Sequence, residues 1–488
     1  MSRYLAFDLG AESGRAILGT LEPGRLTLEE LHRFPNTPVR VHSALYWDTL
    51  RLWHEVQQSL AVAGRERSLK LDGIGVDTWG VDFALLDADG GLIENPRHYR
   101  DARTNGMLEA VLKVVPREEI FAQTGIQLMQ INTLYQLYAM RLAKSPALSN
   151  ARTLLMTPDL FNYWLTGVAK SEATITSTSQ CYNPRAGGWA TELFDRLGLP
   201  KAILPEIVCA GTRLGPLLPE VAEAASLGAT SVFATGCHDT ASAVAAVPAV
   251  GDRWCYISSG TWSLMGVELA APLIDERSLA LNLTNEMGAG GKTRLLKNIA
   301  GLWLLQECRR AWALRGCEYS YETLATMAAS APPFAAVIDP DAFLEPGDMP
   351  EKICSYCKLK GQRPPDSPPS VARSIFESLA LRYRQVLESL ETLLGRKLEI
   401  IHIVGGGSRN RLLNQFVADA TDRTVIAGPF EATAMGNILI QAMGAGELSG
   451  LADVRKIVRN SAGLETFVPC ATPEWNHAYE RFRELTRC

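Results

Sequence analysis

The segment Cys237-His238-Asp239-Thr240 places a carboxylate next to an imidazole and a hydroxyl group. It follows an apolar run at residues 231–235 and a glycine, and small helix-forming residues come after it. A carboxylate at such a corner can accept the proton of a substrate hydroxyl, so Asp239 is a candidate general base. His238 and Thr240 would orient that substrate. The structural alternative is that Asp239 caps a helix and that the neighbouring His238 is satisfied locally.

A second carboxylate, Asp8, ends an apolar run and is followed at once by a loop that contains Gly10 and Gly14. Because burying a carboxylate is unfavourable, Asp8 needs hydrogen bonds or a nearby cation. One interpretation is a ligand, acting through water, of the magnesium ion that accompanies a nucleotide, since Mg²⁺ uses few protein carboxylates. The other is an aspartate that caps the turn by accepting backbone N–H groups.

Three glycine-containing loops offer backbone N–H groups that could surround phosphate oxygens, at residues 10–15, 258–261 and 405–407. Glycine exposes the N–H groups, serine and threonine add hydroxyl donors, and concave sets of donors bind anions. Residues 405–407 also precede a predicted helix, whose N-terminus favours a negative ligand. Hairpin turns use the same residue types for geometry alone, so each loop by itself has a structural alternative.

Two further polar groups have simpler interpretations. Asp77 and Asp82 bracket Thr-Trp-Gly-Val in an apolar stretch, where a turn is the simplest explanation. Cys354 and Cys357 form a C-x-x-C segment within residues 332–369, a proline-rich region that we predict to be a surface loop. A zinc site needs a second pair at suitable spacing, which the sequence lacks, so we assign this pair no metal.

The composition is that of a globular protein without a strong charge bias. Of the 488 residues, 47% are hydrophobic and 21% are charged, and the formal net charge is −5. This balance argues against binding to nucleic acid or to an anionic membrane surface. No run approaches the roughly 18 to 20 apolar residues of a membrane helix, and the first ten residues lack a signal-peptide pattern. We therefore expect a cytoplasmic protein.

Strands and helices alternate in both halves of the chain, which predicts an α/β protein of two large domains. Residues 4–8 and 15–21 are predicted to form two strands around a turn. Residues 254–257 and 262–267 show the same pattern about half a chain later. The spacing of apolar residues predicts a helix over residues 370–394. We place the domain boundary just before the second hairpin, at residues 248–252.

Six segments of the sequence together resemble the FGGY family of carbohydrate kinases, in the order that the family shows. One such motif would be unspecific, whereas six in order are specific, and the resemblance extends from Tyr4 to about Gly444. The segments are Asp8-Leu-Gly-Ala-Glu-Ser-Gly-Arg15, Asp77-Thr-Trp-Gly-Val-Asp-Phe83, His238-Asp-Thr-Ala-Ser242, Ser258-Ser-Gly-Thr-Trp-Ser-Leu-Met-Gly266, Leu296-Lys-Asn298 with Gly301-Leu-Trp-Leu-Leu-Gln306, and Val404-Gly-Gly-Gly407.

The resemblance implies two ribonuclease H-like domains of the actin, hexokinase and Hsp70 type, with ATP and a sugar in an interdomain cleft. Residues 1–248 would bind the sugar and carry Asp239 as the catalytic base, and residues 249–488 would bind the nucleotide. Asp8 would hold Mg²⁺ through water. The implied sugar contacts are Gly80, His238, Asp239, Thr240 and Asn298. The implied ATP contacts are Ala11, Glu12, Ser13, Gly14, Arg15, Thr261, Gln306 and Gly406.

Within the family, residues 78–83 and 297–298 are similar to those of the enzymes that phosphorylate L-rhamnulose on its 1-hydroxyl. Trp79 or Phe83 would supply an apolar wall for the methyl group of this 6-deoxy sugar. The alternatives are another sugar of the family, such as xylulose, fuculose or glycerol, and an actin-like protein that binds nucleotide without catalysis.

The sequence departs from the family pattern at two places. Glu12 stands where some relatives have serine, and a carboxylate that faced phosphate would repel it. Met287 interrupts a stretch expected to read Asn-Glu-Gly-Gly-Ala, so we assign no role to Asn285 or Glu286. The sequence predicts no oligomeric state.

Overall fold

The computed structural model describes residues 1–470 and 473–486, in which the chain divides into two units. The first unit comprises Met1–Pro248, Glu268–Leu296 and Ala432–Ser461, so the chain enters it three times. The second comprises Ala249–Val267, Lys297–Glu431 and the described part of Ala462–Cys488. Each unit combines helices with a sheet that is parallel at its centre, which confirms the predicted α/β class.

The first unit contains a six-stranded sheet. Across the sheet, the strands lie in the order Thr212–Pro216, Ser231–Ala234, Gly73–Thr78, Ser2–Leu9, Ser13–Glu22 and Arg25–Pro35. The second, third and fourth strands in this order run parallel, and the last three form an antiparallel meander. The parallel strands are almost entirely buried, as expected for a sheet covered on both faces. Their carboxyl ends meet at the same end of the sheet.

Helices pack on both faces of this sheet. Apolar residues of helices Thr49–Ala61 and Thr157–Thr166 form one core cluster with the central strands. Helix Ala432–Gly444 lies on the other face, where Gly19 and Gly75 leave room for it: a Cβ at Gly75 would lie 2.7 Å from Oδ1 of Asn437. The remaining α-helices are Met107–Leu112, Arg117–Thr124, Thr133–Leu142, Pro146–Asn150, Ala173–Thr176, Thr191–Leu197, Pro219–Ala225, Asp239–Ala245, Glu276–Ala280 and Leu451–Ser461.

Short pairs of strands complete the first unit. They are Val39–Val41 with Ala44–Tyr46, Phe83–Leu86 with Thr153–Met156, Ser171–Glu172 with Ile207–Val208, Tyr182–Asn183 with Gly188–Trp189, and Thr284–Met287 with the start of Thr293–Ala300.

The second unit repeats the pattern of an antiparallel hairpin beside parallel strands. Across the sheet of this unit, the strands lie in the order residues 297–300, Trp262–Leu269, Trp254–Ser259, Ile400–Val404, Thr424–Ala427 and Glu465–Phe467. Trp254–Ser259, Ile400–Val404 and Thr424–Ala427 are parallel. The α-helices are Trp303–Leu314, Tyr321–Ala329, Met349–Leu359, Pro368–Leu394, Arg411–Thr421 and Pro473–Leu485.

The structure confirms both predicted hairpins and the long helix, which spans Pro368–Leu394. The predicted loop around Cys354 and Cys357 is wrong, because both residues lie in helix Met349–Leu359. Pro350 occupies the first turn of this helix, where proline is tolerated, and the Asp348 side chain caps it. In the described part of the chain, no helix is long and apolar enough to cross a membrane.

Candidate active site

Three aspartates lie at the carboxyl ends of neighbouring parallel strands in the first unit. Asp8 lies in the first strand, Asp77 lies in the parallel strand beside it, and Asp239 follows the next parallel strand, Ser231–Ala234. Asp8 and Asp77 are direct partners in the register, so their side chains point to the same face of the sheet. Open α/β sheets bind their ligands at this end of the strands. The fold therefore brings the predicted base and the predicted metal ligand to one end of one sheet.

Asp239 is the first residue of helix Asp239–Ala245, and its neighbours hold its carboxylate in place. Its Oδ1 accepts hydrogen bonds from the backbone N–H of Thr240 and, at 3.0 Å, from the Thr240 hydroxyl. Nε2 of His238 lies 3.4 Å from the same oxygen. His238, not Asp239, occupies the N-cap position, so Asp239 is not the helix cap of the structural alternative. The Asp239 side chain is 33% exposed, which leaves its second oxygen room to meet a substrate.

Burial and neighbouring charges raise the proton affinity of two of these aspartates. Burial raises the pKa of Asp239; His238 opposes this shift, and Asp8 adds to it. The pKa of Asp77 is raised well above its ordinary value, first by burial and then by Asp8, against a 2.6 Å hydrogen bond from the Asn437 amide. Oδ1 of Asp77 is buried and has no hydrogen-bond partner among the described residues. A carboxylate of raised pKa is a stronger acceptor for a hydroxyl proton.

Asp8 forms an ion pair with Arg15, its partner across the first hairpin. The turn between them is closed by the backbone, because the Gly10 N–H donates to the Ser13 carbonyl at 3.0 Å. The Asn36 amide then donates to the Gly10 carbonyl at 2.8 Å and braces the loop. The Asp8 carboxylate thus contacts the guanidinium group of Arg15, and backbone hydrogen bonds close the turn without it.

The other predicted ATP contacts of this loop lie at its surface and at its base. Glu12 is exposed and Ala11 is partly buried. Gly14 is buried, and a Cβ at this position would lie 2.2 Å from the ring of Phe34. Packing against Phe34 is therefore sufficient to explain a glycine at residue 14, without a ligand.

The donor set at this end of the sheet fits magnesium. Among the described residues, no group of three or more His, Cys, Asp or Glu side chains is arranged to hold a metal ion. A metal with one or two protein carboxylates and the rest of its ligands from water and phosphate is the pattern that Mg²⁺ prefers. Asp8 and the unpartnered oxygen of Asp77 supply two carboxylates in adjacent strands, a number that this pattern allows.

Gly80 lies in a tight turn at the carboxyl end of strand Gly73–Thr78. The Asp82 N–H donates to the Gly80 carbonyl at 2.9 Å, and Val81 between them has a φ of +67°, which is unfavourable for a β-branched residue. The hydroxyl of Thr178 accepts a hydrogen bond from the Val81 N–H at 3.0 Å, and the Thr133 hydroxyl donates to the Val81 carbonyl at 2.6 Å. These bonds hold the strained turn in place.

Asp82 anchors this turn from within the core. Its fully buried carboxylate accepts hydrogen bonds from the indole N–H groups of Trp47 at 2.5 Å and Trp79 at 2.9 Å, and from the Gln136 amide at 3.1 Å. Burial raises its pKa to about 6, against the lowering effect of these bonds. The simple turn expected for residues 77–82 is therefore found at residues 80–82, whereas Asp77 belongs to the strand.

Sequence reasoning missed two charged residues next to His238. Glu286 and Arg294 form a buried ion pair at 3.0 Å, and the same Arg294 nitrogen lies 3.0 Å from Nδ1 of His238. The sequence predicts no role for Glu286, because Met287 breaks the expected family pattern. The sequence signal of this ion pair is a glutamate followed eight residues later by an arginine, in a segment with a hairpin pattern. This signal does not show that the pair contacts His238.

The second unit brings three of the predicted ATP contacts to the carboxyl ends of adjacent parallel strands. Thr261 follows strand Trp254–Ser259, Gly406 follows Ile400–Val404, and the two strands are neighbours. The Gln306 amide donates to the Thr261 hydroxyl at 3.1 Å, and Oε1 of Gln306 is buried without a partner among the described residues.

Two glycines next to Gly406 allow a close approach of backbone in this unit. A Cβ at Gly407 would lie 2.0 Å from Oγ of Ser259, and a Cβ at Gly405 would lie 3.2 Å from the Ser259 carbonyl. Asn298, the remaining predicted sugar contact, lies in strand Thr293–Ala300 of the same sheet. The structure therefore divides the predicted residues into two groups, one in each unit.

Solved structures that share this fold include sugar and polyol kinases. Xylulose kinase from Lactobacillus acidophilus has a TM-score of 0.80 and 16% sequence identity, with 99% of this chain and 97% of that chain covered. Glycerol kinase from Plasmodium falciparum, solved with ADP, has a TM-score of 0.76 and 13% identity, with 99% and 98% covered. At these identities the likeness establishes a fold, that of two-domain carbohydrate kinases.

Comparison of the sequence with protein families identifies the family of kinases to which the chain belongs. The N-terminal domain of the FGGY family of carbohydrate kinases matches residues 3–246, and its C-terminal domain matches residues 255–445. The chain therefore belongs to the FGGY family of carbohydrate kinases and is a phosphotransferase that uses ATP as co-substrate. A protein named rhamnulokinase from Bacteroides thetaiotaomicron is 46% identical over 99% of both chains. Another of that name from Enterococcus faecalis is 41% identical over 95% of this chain and 94% of its own.

Proposed function

We propose that this enzyme transfers the γ-phosphoryl group of ATP to the 1-hydroxyl of L-rhamnulose, in the breakdown of L-rhamnose. The substrate is supported by the near full-length likeness to proteins named rhamnulokinase. The chemistry is supported by one observation above all: the half-buried carboxylate of Asp239, raised in pKa, at the carboxyl ends of the parallel strands.

Asp239 would act as the general base. Its carboxylate accepts a hydrogen bond from the sugar 1-hydroxyl and takes the proton as the oxygen bonds to phosphorus and the bond to the ADP oxygen breaks. His238, Thr240 and Gly80 would orient the sugar in the first unit, and we assign Asn298 a sugar contact as well. Positioning and charge neutralisation supply most of the rate enhancement in such transfers, because little covalent chemistry falls to the protein.

The nucleotide would be bound by backbone N–H groups and a few polar side chains. In the first unit these are Ala11, Glu12, Ser13, Gly14 and Arg15, and the exposed position of Glu12 favours a contact through its backbone. In the second unit they are Thr261, Gln306 and Gly406. Asp8 would hold Mg²⁺ through water, and the ion would neutralise phosphate charge during the transfer.

The assignment of roles follows the predicted division of the chain. Residues 1–248 would supply most sugar contacts and the base, and residues 249–488 would supply much of the nucleotide site. Because the reaction consumes ATP and a free sugar, we place the enzyme in the cytoplasm.

Identification of the product tests this function. Purified enzyme with ATP, magnesium and L-rhamnulose should yield a phosphate monoester whose ³¹P signal couples to the two protons on C1. A product phosphorylated elsewhere, or ATP consumption that does not depend on sugar, would refute the proposed reaction.

A further inference from the structure

A buried ion pair contacts the histidine beside the candidate base. In the hairpin formed by Thr284–Met287 and the start of Thr293–Ala300, Glu286 and Arg294 lie directly opposite each other. Nη2 of Arg294 lies 3.0 Å from Oε2 of Glu286 and 3.0 Å from Nδ1 of His238. Arg294 is 0% exposed, and its Nε donates to the carbonyl of residue 287 at 3.0 Å. The guanidinium group is thus fixed from two sides before it meets the histidine.

A contribution to the stability of the hairpin does not account for the presence of this ion pair. Desolvation of two charges offsets most of their attraction, so a buried ion pair stabilises a fold little more than apolar residues of similar size. Glu286 nevertheless remains in its charged form: burial alone would raise its pKa, but the charge of Arg294 lowers it, and the net result lies below the ordinary value. A charged pair kept beside His238 indicates a role that concerns the imidazole.

The contact with Arg294 favours one position of the ring proton of His238. Because arginine only donates hydrogen bonds, a hydrogen bond from Arg294 to Nδ1 requires a neutral ring whose proton lies on Nε2. Nε2 faces Oδ1 of Asp239 at 3.4 Å. A proton on Nδ1 would instead point at Oε2 of Glu286, 3.2 Å away, and would also face an N–H group of Arg294. Only in the first arrangement does no N–H group of the ring face an N–H group of Arg294.

We propose that Glu286 and Arg294 are positioning residues that hold His238 as its Nε2–H tautomer, facing Asp239. Arg294 selects the tautomer, and Glu286 holds Arg294 and balances its charge. The Nε2–H group then orients the Asp239 carboxylate and stabilises its ionised form, which is the form that accepts a hydroxyl proton. The proposal rests on the proposed function, in which Asp239 is the base.

The tautomer can be measured in the wild-type enzyme without any sugar. Long-range ¹H–¹⁵N correlation spectra distinguish Nε2–H from Nδ1–H imidazole, and the His238→Asn variant identifies the signals of His238. We expect the Nε2–H form. An Nδ1–H ring would overturn the proposal. Because this measurement needs no activity, it separates a failure of the proposal from a failure of the proposed function.

A double variant tests the effect on catalysis. Glu286→Gln with Arg294→Met removes both charges, so neither is left buried alone. We expect kcat to fall about 10- to 100-fold, as for other residues that orient a catalytic group, while the sugar Kd changes less than about threefold. The matched control, Asp275→Asn with Arg277→Met, breaks an exposed ion pair in the same unit and should leave kcat unchanged.

Two results would contradict this role in catalysis. A double variant that keeps kcat within about threefold of wild type would show that the pair does not act on Asp239. A loss of sugar affinity at unchanged kcat would make the pair part of the binding site instead. If the variant does not fold, the tautomer of the wild-type enzyme still decides the proposal.

Discussion

Asp239 is the residue on which the proposed chemistry depends most directly. Its Oδ1 is occupied by Thr240 and faces His238, while part of the side chain stays exposed. A general base needs this combination of a fixed carboxylate and an accessible oxygen. Asp8 and Asp77 lie near enough to influence its proton affinity, yet Asp8 is paired with Arg15 and Asp77 is fully buried. Of the three aspartates, Asp239 alone begins a helix rather than lying within a strand.

Removing the charge of Asp239 should abolish most of the activity and spare binding. We expect Asp239→Asn to lower kcat by on the order of a hundredfold or more, because the amide cannot take the hydroxyl proton. Sugar binding, measured by calorimetry, should remain. Turnover near the wild-type rate in a coupled ADP-release assay would show that another group is the base.

The pH dependence of the wild-type enzyme should report the raised pKa of Asp239. Burial raises this pKa above 3.8, and the opposing effect of His238 is smaller. A base must be deprotonated, so kcat/KM should fall as the pH decreases through the raised value, and the fall should begin at a higher pH than for an ordinary aspartate. Circular dichroism at each pH checks that the protein is folded. A rate that stays constant down to the ordinary pKa would argue against this assignment.

The turn at residues 80–82 is the element that depends most on support from elsewhere. Val81 has a positive φ, and its N–H donates to the hydroxyl of Thr178, nearly a hundred residues away in sequence. A strained turn persists where the surrounding structure holds it, and such turns often lie at functional sites. We infer that Thr178 keeps Gly80 where it can contact the sugar.

Replacing Thr178 by valine should loosen this turn. The substitution keeps the shape but leaves the buried Val81 N–H without a partner, which should lower the free energy of unfolding by about 1 to 3 kcal/mol. The KM for sugar should rise more than the KM for ATP. Thr392→Val is the control, because the Thr392 hydroxyl bonds a carbonyl on an exposed helix face. Equal stability of the two variants in urea denaturation would contradict the inferred role.

Local elements could be predicted from sequence, because their signals lie within a few residues. The hairpins at residues 2–22 and 254–269 show alternating apolar residues around a glycine turn, and the structure has them. For helix Met349–Leu359 the sequence wrongly predicts a loop, because prolines flank Cys354 and Cys357 and one lies at the start of the helix. Proline in the first turn does not break a helix, and only the cap at Asp348 distinguishes the two cases.

Contacts between distant segments could not be predicted. Asp8, Asp77 and Asp239 were each recognised as polar residues in or after apolar runs, but only the strand order shows that they share one end of a sheet. The contact of Arg294 with His238 joins residues 56 positions apart, and that of Asn437 with Asp77 joins residues 360 positions apart. Such pairings follow from topology, which the periodicity of one segment does not determine. The roles of the site residues themselves remain predictions.

For the molecule as a whole, sugar specificity is the property that separates this enzyme from its relatives of the same fold. Residues that bind phosphate or accept a proton can serve kinases of many sugars. They therefore do not determine which sugar the enzyme phosphorylates. Trp79 is 5% exposed and its indole N–H donates to Asp82, so the indole has no free donor; its role as an apolar wall for the methyl group stays a prediction. An apolar wall discriminates a methyl group by only about 1 to 3 kcal/mol, whereas an epimer that leaves buried polar groups unpaired is rejected more strongly.

The measurement that tests the central claim most directly is a coupled ADP-release assay over a panel of ketoses and polyols, compared by kcat/KM. The panel should contain L-rhamnulose, its epimer L-fuculose, xylulose and glycerol, with Asp239→Asn as the control for sugar-dependent turnover. We predict that L-rhamnulose ranks first and that L-fuculose lies well behind it. A higher kcat/KM for xylulose or glycerol would contradict the proposed substrate.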